Sequence, residues 1–200
     1  MTATLDSIAE IGFARTSVSE IIKRANLSRG MIHLHFESKE RLLEEAVKFA
    51  SATYFEDLDV LLQAAGKSPQ ERLEAVVRSD LSEAVLNEKS IKIWFAFRGE
   101  ASVSDAIARY SDTRDAQLND LIYQAYLQIA VETGIDDPEF IARDATHGTL
   151  ALLEGMWTDF FLHPNSFKRQ SALRIVFRFL AALFPERFAI SGALVPGGKG

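Results

Sequence analysis

The sequence predicts an all-α protein. Helix starts and stops recur from one end of the 200-residue chain to the other, and no run of alternating β-branched residues reads as a strand. Composition agrees: 48% hydrophobic and 25% charged residues with eleven Gly and five Pro describe a folded globular chain, since disordered or fibrous chains carry far more Pro and Gly. The absence of Cys excludes a disulfide framework, a thiolate metal site and a thiol nucleophile. No apolar run approaches the roughly 18 residues that cross a bilayer, and no basic stretch followed by an apolar one opens the chain. A cytoplasmic location without membrane contact is expected.

The first helix follows from Leu5, Ile8, Ala9 and Phe13, which form one buried stripe, with Gly12 as its stop. Ser17-Val18-Ser19-Glu20 fits a capping box opening the second, whose apolar face is Val18, Ile21, Ile22 and Ala25. Asn26 tolerates the left-handed conformation of a tight exit, and Ser28 caps a very short third helix reaching about Leu34 or His35. Ser38 caps a fourth from Lys39, with no breaker before Ala64-Ala65-Gly66, so it runs for roughly 39 Å. Ser68-Pro69-Gln70-Glu71 combines an N-cap, a first-position Pro and a box-closing Glu, opening a helix to about Leu86. A short aromatic helix covers Lys89 to Phe97. A longer one, Ser104 to Thr133, stops at Gly134, and Asp137-Pro138 opens another that lasts to His163-Pro164. Ser166 caps the last, closed by Phe184-Pro185, and the Gly-rich residues after Ser191 read as a frayed tail.

Function begins with charge. The net −6 and pI near 5.3 argue against affinity for nucleic acid over the whole surface. Between Arg15 and Arg41, however, six Lys and Arg stand against three Glu, so a small basic module is joined to an acidic body. Two short helices joined by a tight turn, the second too short for a core element, outline a helix-turn-helix. Val18, Ile22, Leu27, Ile32 and Phe36 are placed to lock its helices together, leaving Arg29, Met31 and His33 to point outward into a major groove. Gly30 costs a helix about 1 kcal/mol relative to Ala, which makes sense where the backbone must approach DNA. Thr16 and Ser17 precede a helix N-terminus whose free N–H groups suit a phosphate, and Lys39 puts a cation at the next one. Ser28 and His35 complete the expected DNA-contacting set.

The strings Gly12-Phe13-Ala14-Arg15-Thr16-Ser17-Val18, Ile21-Ile22-Lys23-Arg24-Ala25-Asn26-Leu27-Ser28-Arg29-Gly30-Met31-Ile32-His33-Leu34-His35-Phe36 and Ser38-Lys39-Glu40-Arg41-Leu42 together resemble the DNA-binding domain of TetR-family transcriptional repressors. The resemblance covers about the first 48 residues. It implies a helix-turn-helix domain over 1–48, a helical effector-binding and dimerisation domain over 49–190 and a flexible tail over 191–200. It also implies a repressor that binds double-stranded operator DNA as a homodimer and is released by a small molecule. Three departures stand out: the family usually has Gly where Asn26 stands and Tyr where His33 stands, and its first helix often starts earlier behind basic residues. Unless residues precede Met1, fewer phosphate contacts and weaker DNA binding are expected.

The residues themselves also argue for a dimer. The last helix is apolar on two faces, Leu173, Val176, Leu180 and Phe184 on one and Ala172, Ile175, Phe179 and Leu183 on the other, and one subunit's core needs only one of them. Ala145, Thr149, Leu153, Met156 and Phe160 of the preceding helix, with Leu173, Val176 and Leu180, are the expected interface. Two-fold symmetry would set the reading helices roughly 34 Å apart, or a multiple of that, on a palindromic site.

Ile93-Trp94-Phe95-Ala96-Phe97 and Ala151-Leu152-Leu153-Glu154-Gly155-Met156-Trp157 resemble the sensor domain of the BetI-like branch, which is associated with choline-type ligands. Aromatic faces near a carboxylate suit a quaternary ammonium ion, which has no N–H to donate. The expected ligand-binding residues are Trp94, Phe97, Tyr123, Tyr126, His147, Glu154 and Trp157.

Nothing points to catalysis. His33 and His35 are two apart and do not share a helical face, and His147 and His163 are also out of phase. HExxH and G-x-S-x-G are absent. Gly197-Gly198-Lys199-Gly200 lacks the strand and the Ser or Thr of a phosphate loop. No enzyme activity, metal or cofactor is expected; the alternative is a helical interaction protein of the same fold without sequence-specific DNA binding.

Overall fold

The computed structural model describes residues 1–28, 30 and 35–189, with 111–114 as backbone only. The described residues form eight helices: α1 Thr2–Ile11, α2 Val18–Ala25, α3 Lys39–Ala64, α4 Pro69–Asp80, α5 Glu88–Ala101, α6 Asp105–Glu132, α7 Pro138–Leu162 and α8 Arg169–Leu183. The all-α class read from the sequence is the class observed.

Local chemistry sets most of the boundaries. Gly12 ends α1 at φ +83°, a conformation that carries little strain only without a Cβ. Ser17 accepts the Glu20 N–H at 3.2 Å; Glu20 does not close the expected box but turns its carboxylate to Arg24, 3.4 Å away. Asn26 ends α2 in the left-handed region, φ 53° and ψ 41°. At α4 the reciprocal box is complete, with the Glu71 carboxylate accepting the Ser68 N–H at 3.0 Å. Asp137 opens α7 by accepting the Phe140 N–H at 3.2 Å.

Three boundaries differ from the sequence reading, one of them for a non-local reason. α4 stops at Asp80 rather than near Leu86, because the carbonyls of Leu81 and Leu86 are both taken by the Arg169 guanidinium. Asn87 then starts α5 by accepting the Lys89 and Ser90 N–H groups at 3.1 and 2.9 Å, and the helix runs on to Ala101. α8 begins at Arg169, not after Ser166, whose hydroxyl donates back to the His163 carbonyl at 3.3 Å.

The chain divides into two compact units: Met1–Glu56 with Asn87–Asp115, and Asp57–Leu86 with residues from Ala116 onward. α5 and the start of α6, expected with the second region, thus group with the first unit. There α1 packs on α2 and α5 around Ile8, Leu43, Val47, Ile93, Phe97 and Ile107. Arg24 clamps α1 to α2 with two bonds to Glu10, 2.6 and 2.7 Å, and this pairing holds the Glu10 carboxyl below its ordinary pKa.

In the second unit α7 and α4 pack on α8. Tyr126 is fully buried, stacks on Phe184 with centroids 5.6 Å apart and shares a 2.7 Å hydrogen bond with the Thr149 hydroxyl. Burial pushes its phenol pKa well up. Among the described residues no helix is long and apolar enough to cross a membrane.

Candidate nucleic-acid interface

The N-terminal helices meet in a small core of Ile21 and Leu42, with Met1, Val18, Ile22 and Phe36 packed against it. Leu27 was expected there and is instead 39% exposed. The chain leaves α2 at Asn26, and although the Leu27 N–H still reaches the Ile22 carbonyl at 3.1 Å, its side chain is outside the core. Arg29, Met31, Ile32 and His33 lie outside the described residues. Of the other expected contacts, Ser17, Ser28, Gly30 and His35 are each exposed. Among the described residues a Cβ on Gly30 would meet only the Ser28 hydroxyl, at 3.9 Å, so packing against them gives no reason for glycine.

Two of the expected contacts are otherwise engaged. Thr16 is completely buried; its hydroxyl donates to the Gly12 carbonyl at 2.9 Å and shares a 3.2 Å bond with the Ser7 hydroxyl. Thr16 was expected among the DNA contacts; its buried side chain instead holds the α1–α2 turn, and Ser17 alone stands exposed at the N-cap. Lys39 is partly exposed, but its ammonium donates to the Ala14 carbonyl at 3.3 Å, bracing the start of α3 against the same turn.

The expected effector residues fall in both units. Trp94 and Phe97 belong to the first, where Phe97 is core, edge-on to Phe13 with centroids 6.2 Å apart, and the Trp94 ring already faces the Arg98 guanidinium at 5.2 Å. In the second, Tyr123 is half-buried, Tyr126 is committed to Thr149, and His147 and Glu154 are exposed. Trp157 is buried and its indole N–H donates to the Asp80 carboxylate at 2.9 Å. Asp80, 4% exposed, is the carboxylate beside an aromatic ring that the sequence reading missed. Its signal is an acidic side chain in the last turn of a helix that buries Leu73, Val76 and Val77.

The expected dimer residues divide as well. Ala145, Thr149, Leu153, Val176 and Leu180 are buried within their own chain, and Met156, Phe160 and Leu173 are half-buried, with Phe160 against Phe167. The first group is corrected to subunit core. The other expected face of α8 is open in part: Ala172 is buried and Ile175 is 44% exposed, Phe179 and Leu183 are half-exposed, and Ala182 is exposed. Exposed Ala151, Gly155 and Leu162 lie on the outer face of α7. These two faces adjoin, because a Cβ on Gly148 would stand 2.5 Å from the tip of the Phe179 ring.

Residues 69–185 match the family described as BetI-type transcriptional repressor, C-terminal, and residues 1–46 match bacterial regulatory proteins of the tetR family. The regulator BetI of Pectobacterium carotovorum is 28% identical over 179 residues, covering 89% of this chain and 88% of its own. BetI of Burkholderia thailandensis is 26% identical, covering 92% and 91%. Among solved structures, a putative transcriptional regulator of Pseudomonas aeruginosa PAO1 is similar with TM-score 0.82 and 28% identity, over 91% of this chain and 86% of that one. A Saccharomonospora viridis regulator solved in complex with choline shares the fold, with TM-score 0.77, 18% identity and coverage of 90% and 92%.

Proposed function

The chain belongs to the tetR family of bacterial transcriptional regulators, with a BetI-type C-terminal domain, and from that premise we propose a homodimeric, ligand-responsive repressor of a palindromic operator. The observation that carries the DNA-binding part is the left-handed turn at Asn26 leading into an exposed Ser28 and an exposed helical Gly30 that no described residue crowds. A helix presented this way enters a major groove with its N-terminal residues at base edges. In this reading Arg29 and His33 read or anchor, while Ser17 and Lys39 meet phosphates. The regulator works in the cytoplasm, where its operator is.

The open apolar faces of α7 and α8 support the homodimer. Ile175, Phe179 and Ala182 with Ala151, Gly155 and Leu162 form its interface, and their self-association buries surface that an isolated subunit leaves in water. Small residues on α7 let the partner's helices approach closely. The effector is a choline-type cation, held in the second unit by half-buried Tyr123 and the Trp157 ring. α3, with residues in both units, is the lever. An effector that binds better to misspaced reading helices weakens operator binding by the factor by which the operator weakens effector binding.

The test is binding to DNA from upstream of its own gene at two salt concentrations, with scrambled DNA as control. Sequence-preferring binding that weakens steeply with salt is expected; no binding at low salt would favour the interaction protein. Calorimetric titration with choline tests the effector, and heats equal to those of buffer at millimolar choline would remove choline-type cations.

A further inference from the structure

The turn between α1 and α2 is held on both sides of Arg15. After it, Thr16 is buried, with its hydroxyl bonded to the Gly12 carbonyl and the Ser7 hydroxyl and its N–H reaching the carbonyls of Gly12 and Phe13, each at 3.2 Å. Before it, the Ala14 carbonyl accepts from the Lys39 ammonium of α3 at 3.3 Å. Arg15 itself is exposed. Its Nε donates to the carbonyl of Ile11, the last residue of α1, at 2.8 Å, so the guanidinium is anchored at a helix end whose free carbonyls favour a cation.

That bond uses the Nε–H alone. The donors on the two terminal nitrogens have no partner among the described residues, and no described carboxylate pairs with Arg15. Its neighbours differ: Arg24 is matched by Glu10, Arg41 by Glu44 and Lys48 by Glu45, at 2.6, 2.8 and 2.5 Å. Those cations must give up a carboxylate before they can serve another anion, whereas Arg15 keeps its charge for one. A guanidinium is a planar fork, and with its Nε end already fixed little side-chain freedom is lost when the fork binds. The anions that match such a fork through two parallel bonds are carboxylates and phosphates. Ser17, exposed at the N-cap of α2, is two residues away, at the turn that the repressor reading sets against the DNA backbone.

We propose that Arg15 is a DNA-backbone contact whose two terminal nitrogens take the non-bridging oxygens of one phosphate while its Nε stays on α1. The assignment rests on the repressor reading above and adds to it a residue outside the set expected from the sequence. A phosphate contact fixes the protein on the duplex and carries no base preference, so Arg15 supplies affinity for any sequence and no discrimination between them. An arginine that served only to close α1 would act through the fold and release no counterions.

Binding of the full-length protein to DNA from upstream of its own gene and to scrambled DNA, measured over a series of salt concentrations, tests the contact. Arg15→Gln is expected to weaken both DNAs several-fold and by the same factor at low salt, and to lower the slope of log affinity against log salt by about 0.9 for each subunit bound. Arg15→Lys, which keeps the charge and loses the fork, is expected to keep the wild-type slope and lose only part of the affinity. Because the side chain is exposed, both variants are expected to melt in urea as the wild type does. A wild-type slope in Arg15→Gln would overturn the proposal whatever the affinity, and so would a loss confined to the upstream DNA, which would make Arg15 a base reader. Wild-type protein that binds neither DNA at low salt would remove the repressor reading and Arg15 with it. Wild-type binding with an unchanged slope in Arg15→Gln removes Arg15 alone.

Discussion

At the scale of single residues, Gly30 separates folding from function most cleanly. In a helix Ala is favoured over Gly by about 1 kcal/mol, and among the described residues a Cβ here would meet nothing nearer than 3.9 Å. Gly30→Ala should therefore raise stability by up to about 1 kcal/mol in urea melts while lowering operator affinity in a gel-shift assay. Unchanged affinity would mean that DNA does not come close at this point. Tyr126 gives a prediction in pH. Its phenol is neutral in the fold and its pKa is raised by burial, so the unfolded chain ionises first as pH climbs past about 10. There the unfolded state binds fewer protons than the native one, and stability falls with rising pH. Tyr126→Phe should flatten the part of that fall due to this side chain, read as urea midpoints between about pH 9 and pH 11.

At the scale of elements, what was legible in the sequence was what neighbouring residues decide. Gly12, Asn26, Ser68 and Asp137 end or begin their helices as their chemistry demands, because capping is settled within four residues of the cap. The end of α4 was not legible, since the group that takes its trailing carbonyls is Arg169, more than eighty residues away. The inward turn of Thr16 was hidden for the same reason: its partner Ser7 lies nine residues back. The candidate DNA-contacting residues came from local pattern and the candidate effector residues from aromatic content, which cannot tell a core ring such as Phe97 from a binding ring. Lys39 braces the α1–α2 turn and stays partly exposed. Lys39→Ala should weaken cognate and scrambled DNA alike and reduce the salt slope by about one, and Lys39→Arg should restore most of it. A loss confined to cognate DNA would reassign Lys39 to base reading.

At the scale of the whole molecule, the proposed dimer ties the two faces of α8 to different measurements. Ile175 is open to solvent in the chain, whereas Val176 beside it is fully buried. Ile175→Asp should change subunit stability by no more than about 0.5 kcal/mol, as surface substitutions usually do, yet yield monomers in light scattering and much weaker operator binding. Val176→Ala should cost about 2 kcal/mol of stability through lost burial and a cavity and leave the mass of the assembly unchanged. A dimer that persists in Ile175→Asp would move the interface elsewhere.

The placement of the chain's two tryptophans gives each compact unit its own fluorophore. Trp94 reports from the first through a half-covered ring under a guanidinium, and Trp157 from the second through a dry indole bonded to a carboxylate. Their emission maxima should differ, so melting, assembly and effector titration can be followed unit by unit in unlabelled protein, with Trp94→Phe and Trp157→Phe assigning each signal.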